Sequence, residues 1–228
     1  MGGKREEDED EIPDQSPLFL VAEEGFQSDP VLDAREYLDV DACSNLILLV
    51  PSSVTFNRLT YLEVQNCNRL IDVIAPSTAR NLAKLTTLKI RACNLVEQIV
   101  AQERGEIQNN EIAFNSLEVL ELESLPNLKM FCSSSFSLKL PLLEELVIKQ
   151  CPRMKSFSTK DTSAPLVQQI LADDQDGQWF CEGDLNGTVK MIFQQMVAFH
   201  NLERLEISQY PEVIEMSNPA SAYSIGQV

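Results

Sequence analysis

The chain has 228 residues, 44% of them hydrophobic, enough for one or two domains that bury roughly 70% of the surface an unfolded chain would expose. Its 18 Lys and Arg against 35 Asp and Glu give a net charge of −17, which repels phosphate backbones and anionic lipid heads, so no nucleic-acid partner is predicted. The longest apolar runs, Leu18 to Ala22 and Leu46 to Val50, have five residues each, far below the roughly 20 that span a bilayer, and no membrane insertion is predicted.

Residues 1–17 contain six consecutive acids, Glu6 to Glu11, followed by Pro13 and Pro17. Such a segment cannot offset its ordering entropy and is predicted to be a disordered acidic tail. It lacks the basic and apolar regions of a secretory signal, and Glu6 stands where a myristoylation site needs Ser or Thr, which predicts a soluble, cytoplasmic chain. Residues 18–33 are an irregular lead-in, and 215–228 a second disordered tail.

From residue 34 to 214 one pattern recurs: Leu-x-x-Leu-x-(Leu/Val/Ile)-x-x-Cys-x-x-Leu. The clearest copies are Leu59, Leu62, Val64, Cys67, Leu70 and Leu85, Leu88, Ile90, Cys93, Val96. Others begin at Leu117 (with Leu125 in the cysteine slot), Leu143 and Leu202, and a weaker first copy uses Leu38, Val40, Cys43 and Leu46, with Arg35 in the leading position. The step of two from Leu62 to Val64 belongs to a short strand, not a helix. Successive strand leucines at 38, 62, 88, 120, 146 and 205 are spaced by 24, 26, 32, 26 and 59 residues, which brackets the leucine-rich repeat period and leaves room for an insertion or one degenerate unit in the last interval. The predicted fold is therefore α/β: a leucine-rich repeat solenoid with a curved parallel sheet on its concave side and short helices and loops on its convex side.

Pro76-Ser77-Thr78-Ala79 ahead of Leu82 predicts one such helix, capped by Ser77 or Thr78. Glu103 to Glu111 reads as a polar loop. Residues 158–190 read as an acidic insertion, with Asp161, Asp173, Asp174, Asp176, Glu182 and Asp184 and no basic residue between Lys160 and Lys190.

In each strand the residues flanking the second leucine share the exposed, concave face. They are Tyr37, Asp39 and Asp41; Tyr61, Glu63 and Gln65; Thr87, Lys89 and Arg91; Val119, Glu121 and Glu123; Glu145, Val147 and Lys149; and Arg204, Glu206 and Ser208. Their signs alternate from strand to strand, which fits both cross-strand ion pairs and a charged surface for a protein partner. The candidate binding set is Tyr61, Glu63, Gln65, Lys89, Arg91, Glu121, Glu123, Glu145, Lys149, Arg204 and Glu206. As surface positions, Lys89 and Arg91 are expected to tolerate reversal to Glu with the fold intact.

Catalytic chemistry finds little support. A nucleophile needs an adjacent base, and the single histidine, His200, stands in the approach to the last strand, so no enzyme activity and no small-molecule substrate are predicted. The repeat cysteines read as small buried hydrophobes rather than metal or redox groups, and no Cys-x-x-Cys occurs. Asp173 to Gly177, aligned on its glycine as a calcium loop, puts Ala172 first and Gly183 twelfth. Gly2-Gly3-Lys4 lacks the spacing and following hydroxyl of a phosphate loop. No metal or cofactor is predicted, and the sequon Asn186-Gly187-Thr188 reads as a chance match.

Pro51-Ser52-Ser53-Val54-Thr55-Phe56, followed by Leu59-Thr60-Tyr61-Leu62-Glu63-Val64 and Cys67, resembles the C-terminal leucine-rich repeats of plant coiled-coil NBS-LRR disease resistance proteins. Ser77 to Arg80 with Val96 to Val100, Glu111 to Phe114 with Leu125-Pro126 and Phe131 to Ser133, Cys151 to Ser158, and Trp179 with Glu182 to Thr188 continue the similarity, which runs from about residue 51 to 214. The coiled coil and nucleotide-binding module of that family have no counterpart in these residues. The resemblance implies a non-catalytic interaction module of an immune receptor that recognises a pathogen effector or a guarded host protein, or restrains a nucleotide-binding switch. The alternative is a stand-alone scaffold, decoy or inhibitor.

Overall fold

A computed structural model describes residues 35–50, 56–101, 111–132, 136–172, 178–181 and 184–195. The tails and lead-in, most of the 103–111 loop, His200, and the Leu202 repeat with Arg204 and Glu206 lie outside the described residues.

In chain order the elements are β1 (Tyr37–Asp41), β2 (Leu48–Val50), β3 (Tyr61–Gln65), β4 (Asp72–Ile74), α1 (Pro76–Asn81), β5 (Thr87–Arg91), β6 (Gln98–Val100) and β7 (Glu111–Ala113). They continue with β8 (Val119–Glu123), β9 (Met130–Cys132), β10 (Ser137–Lys139), β11 (Glu145–Lys149), β12 (Thr162–Ser163), β13 (Gln169–Ala172) and β14 (Gln178–Phe180). Helical turns over 185–195, here α2, follow. The main sheet has order β1-β3-β5-β8-β11-β13-β14 and is parallel except for the antiparallel pair β13 and β14. This is the concave sheet of a leucine-rich repeat solenoid.

The repeat pattern explains the register. Leu38, Leu62, Leu88, Leu120, Leu146 and Ile170 pair across neighbouring strands and all are buried. Val40, Val64, Ile90, Leu122, Ile148 and Ala172 form a second inward column two residues on, as the strand period of two requires. Behind this sheet the chain makes two further sheets, β2-β4-β6-β9 and β12-β10-β7, so among the described residues the outer walls hold more short strands and fewer helices than the sequence suggests. Leu49, Val73, Ile99 and Phe131 fill the inner side of the first of these. Phe131 stacks on Phe157 with centroids 4.9 Å apart and meets Phe114 edge-on at 5.9 Å, a geometry aromatic pairs favour.

The strands β1, β3, β5, β8 and β11 end in turns built the same way. Ala42, Asn66, Ala92, Ser124 and Gln150 have φ between 50° and 57°, the left-handed region that favours glycine, yet none is glycine. The conformation lets Ala42, Asn66, Ala92 and Ser124 donate backbone N–H bonds to Gln65, Arg91, Glu123 and Lys149 of the next repeat. The chain then dives inward at Cys43, Cys67, Cys93, Leu125 and Cys151, all buried. All six cysteines are free thiols. The sulfhydryls of Cys67, Cys93 and Cys151 donate to the carbonyls of Gln65, Arg91 and Lys149 at 3.3, 3.3 and 3.2 Å. Burial pushes the Cys151 thiol up to about 12, which keeps the donor protonated.

Two local expectations change. The helix α1 begins at Pro76 with Ala75 at its N-cap and no side-chain cap bond. Pro76 has no N–H to satisfy and a φ already suited to the first helical position, so the helix starts early and Ser77 and Thr78 lie inside its first turn. Within 158–190, where 173–177 and 182–183 lie outside the described residues, the described part is less irregular than its composition suggests: β13 pairs in register with β11. Val167, Ile170 and Ala172 occupy the positions of Leu143, Leu146 and Ile148 and are buried, so this is a repeat written without leucine. Beyond it come β14 and α2, with Leu185, Val189, Ile192 and Phe193 buried. Asp184 caps α2 through Gly187 N–H at 2.9 Å. Asn186 takes backbone N–H bonds from Phe157 and Ser158 at 3.1 and 2.8 Å and donates its side-chain amide to the Lys160 carbonyl at 3.0 Å. The sequon nitrogen is thus engaged in holding α2 to the solenoid.

Candidate interaction face

In-register pairing turns the concave face into three columns that cross the strands. The first runs Tyr37, Tyr61, Thr87, Val119, Glu145; the second Asp39, Glu63, Lys89, Glu121, Val147, Leu171; the third Asp41, Gln65, Arg91, Glu123, Lys149. Side chains within a column sit one strand spacing apart, about 4.8 Å, so a long side chain reaches its neighbours on both sides.

Arg91 is the hub. One terminal nitrogen meets Glu63 Oε1 at 2.7 Å, the other meets Glu121 Oε1 at 2.6 Å, and its Nε lies 2.7 Å from Glu121 Oε1 and 3.7 Å from Glu123 Oε2. Lys89 Nζ approaches the other Glu121 oxygen at 3.4 Å. Burial alone would lower the Arg91 pKa, but Glu121, Glu63 and Glu123 outweigh it and the net direction is upward, so the cation is fixed. Glu63, only 8% exposed, also accepts the Tyr61 hydroxyl hydrogen bond. Burial and that bond push the Tyr61 phenol upward, so it stays a neutral donor. The Tyr61 ring stacks on Tyr37 at 4.3 Å and 7° between planes.

Asp39 lies opposite Glu63, with Asp41 two residues along. Its Oδ1 is buried with no hydrogen-bond partner, whereas Asp41 accepts the Asn66 side-chain amide at 2.8 Å. Burial first, then the charges of Glu63 and Asp41, raise the Asp39 pKa above its ordinary value.

The structure therefore brings Tyr61, Glu63, Lys89, Arg91, Glu121 and Glu123 of the candidate set into one network. Gln65 and Lys149 stand directly beside Arg91 and Glu123 in the third column, and Glu145 stands beside Val119 in the first. Cross-strand pairing is real here, and it corrects one expectation: Lys89 and Arg91 are not independent surface positions, since reversing both would take from Glu63 and Glu121 the cations that pair with them. The candidate set omits Tyr37 and Asp39. Their signal was the repeat offset that aligns them with Tyr61 and Glu63.

A parallel solenoid with a leucine column, a cysteine turn and a charged concave sheet defines a leucine-rich repeat protein. Residues 48–168, more than half of the chain, match the family described as plant disease resistance protein RPS2-like, leucine-rich repeats, and the chain belongs to that family. Among curated proteins of Arabidopsis thaliana it is 30% identical over 152 residues to Probable disease resistance protein At1g61190, covering 66% of this chain and 15% of that one. It is 26% identical over 129 residues to Disease resistance protein SUMM2, covering 57% and 14%. A third, Probable disease resistance protein At1g61310, is 28% identical over 145 residues, covering 63% and 15%. The match thus spans about one seventh of each relative. No solved structure matches the chain.

Proposed function

We propose that this chain is a non-catalytic recognition module of a cytoplasmic plant immune receptor, contacting a pathogen effector or guarded host protein through its concave sheet. The observation that carries the reading is the rigid array of aromatic and charged side chains in the three columns, held by in-register strands and by Arg91, Glu63 and Glu121. Rigid presentation lowers the ordering cost of association. The relatives carry disease resistance in their names, which supports the immune context.

The test is capture of a partner from plant extract by the full chain, compared between Glu145→Lys with Lys149→Glu on the concave face and Lys129→Glu on an outer wall. Neither variant replaces Arg91, Lys89 or the glutamates that pair with them. Expected is loss of the captured partner for the concave pair only. Equal loss for the outer variant, or no loss for either, overturns the concave-face reading.

A further inference from the structure

We propose that the β1–β3 end of the concave face is an arginine-accepting subsite, built for a guanidinium presented by the protein partner, with Tyr37 as its aromatic wall and Asp39 as its carboxylate. The inference rests on the reading of this sheet as the contact face and names the chemistry of what it contacts.

Three observations converge. On β1, β3, β5, β8 and β11 the concave positions hold six carboxylates against three cations, so the face itself calls for positive charge. The central cations do not reach the β1 end: Lys89 and Arg91 are bound to Glu63, Glu121 and Glu123. Among the described residues no cation lies within ion-pair reach of Asp39, and its Oδ1 is buried without a partner. Next to it on the same face Tyr37 is stacked on Tyr61 yet still 43% exposed.

Carboxylate and ring belong to residues two apart on one strand, about 7 Å along it, a span one guanidinium can bridge. A planar guanidinium stacks on an aromatic ring while its N–H fork bonds a carboxylate, a combination that the compact, strongly hydrated ammonium of lysine matches poorly. A metal ion fits less well, because the described residues hold no group of three or more His, Cys, Asp or Glu arranged to bind one. Nucleic acid is excluded by the sign of the charge.

The experiment titrates the full chain with two fluorescently labelled blocked peptides, Gly-Arg-Gly-Arg-Gly and its lysine counterpart, at low salt. The arginine probe should bind about fivefold more tightly than the lysine probe. Asp39→Asn should weaken it about tenfold and Tyr37→Ala about fivefold, while Glu97→Gln, the same charge change on an outer wall, should alter it less than about twofold. Urea unfolding of Asp39→Asn is the fold control: unchanged or raised stability with weaker binding supports the subsite. A fall in stability would mean the carboxylate is already paired inside the protein and would sink the proposal. Equal weakening by Asp39→Asn and Glu97→Gln, or equal affinity for the two probes, would reduce the effect to diffuse charge attraction and overturn it. Should these titrations fail while the Glu145 and Lys149 variants still lose the captured partner, the subsite falls and the concave-face reading stands.

Discussion

The strands β1, β3 and β5 and the strands β8, β11 and β13 pack the same inward columns of leucine, valine and isoleucine but face outward differently. The first group shows Tyr37, Tyr61, Asp39, Glu63 and Arg91; the second adds Val119, Val147 and Leu171 in the same columns, with Val147 only 8% exposed. Outward chemistry therefore varies freely along a constant core. Ion pairs anchored on Arg91 tie β3 and β5 to β8 across the join of the two groups, whereas β8 and β11 also lean on aromatic packing behind them, where Phe131 meets Phe114 and Phe157.

Cutting that aromatic support should separate the halves most sharply. Phe131→Ala is expected to destabilise by about 3 to 5 kcal/mol, and hydrogen exchange should show protection lost around β9 and β11 before β1 and β3, because repeats couple to their nearest neighbours. Equal loss along the whole array would mean that the two halves unfold as one unit. The cysteine ladder comes next. Cys93→Ser puts a stronger hydroxyl dipole into an apolar slot and should cost about 1 to 3 kcal/mol in urea unfolding, with Leu125→Ile, at the slot that holds no thiol, changing stability by less than about 1.5 kcal/mol.

Arg91→Met should follow at about 1 to 2 kcal/mol, since it strands Glu63 and Glu121. The damage should centre on β3, β5 and β8, whose ion pairs it removes, and should shrink at high salt. Ala92→Gly works in the other direction: a left-handed alanine costs about 1 kcal/mol that glycine avoids, partly offset by backbone entropy, so a gain of up to about 1 kcal/mol is expected in thermal melts. The smallest effect belongs to Asp39, which is still partly solvated. Its folded pKa is raised, so between its unfolded pKa and that raised value the native state holds the extra proton, and stability falls as pH rises through the window. Asp39→Asn should remove this slope and leave the protein more stable than the parent at pH 7, the two curves converging near pH 4. A steeper slope in the variant would mean that the proton sits elsewhere.

Much of this was legible in the sequence. Leu-x-x-Leu-x-(Leu/Val/Ile) has a period that only a strand explains, so β3, β5, β8 and β11 and their outward residues follow directly. The outer sheets were not legible, because β2, β4, β6 and β9 have three residues each, too few for alternation to register. The β13 repeat escaped a pattern anchored on leucine, since Val167, Ile170 and Ala172 do the same packing with other side chains. For the candidate face the columns could be read from spacing. What could not be read was that Arg91 reaches across two strands at once, or that Asp39 is left over, since both depend on where long side chains turn after leaving the backbone.

The spacing of the repeats carries one more consequence. The columns stay in register although successive strand residues at 38, 62, 88, 120, 146 and 170 are separated by 24, 26, 32, 26 and 24 residues. In the longest interval the surplus falls in the sequence between β6 and β7, outside the columns, where a longer connection adds little closure entropy. Changes of length there leave the concave face untouched, and point substitutions in the columns outside the Arg91 network leave the scaffold nearly untouched. A lineage of such proteins has two independent channels of change, one that lengthens the back and one that rewrites the face.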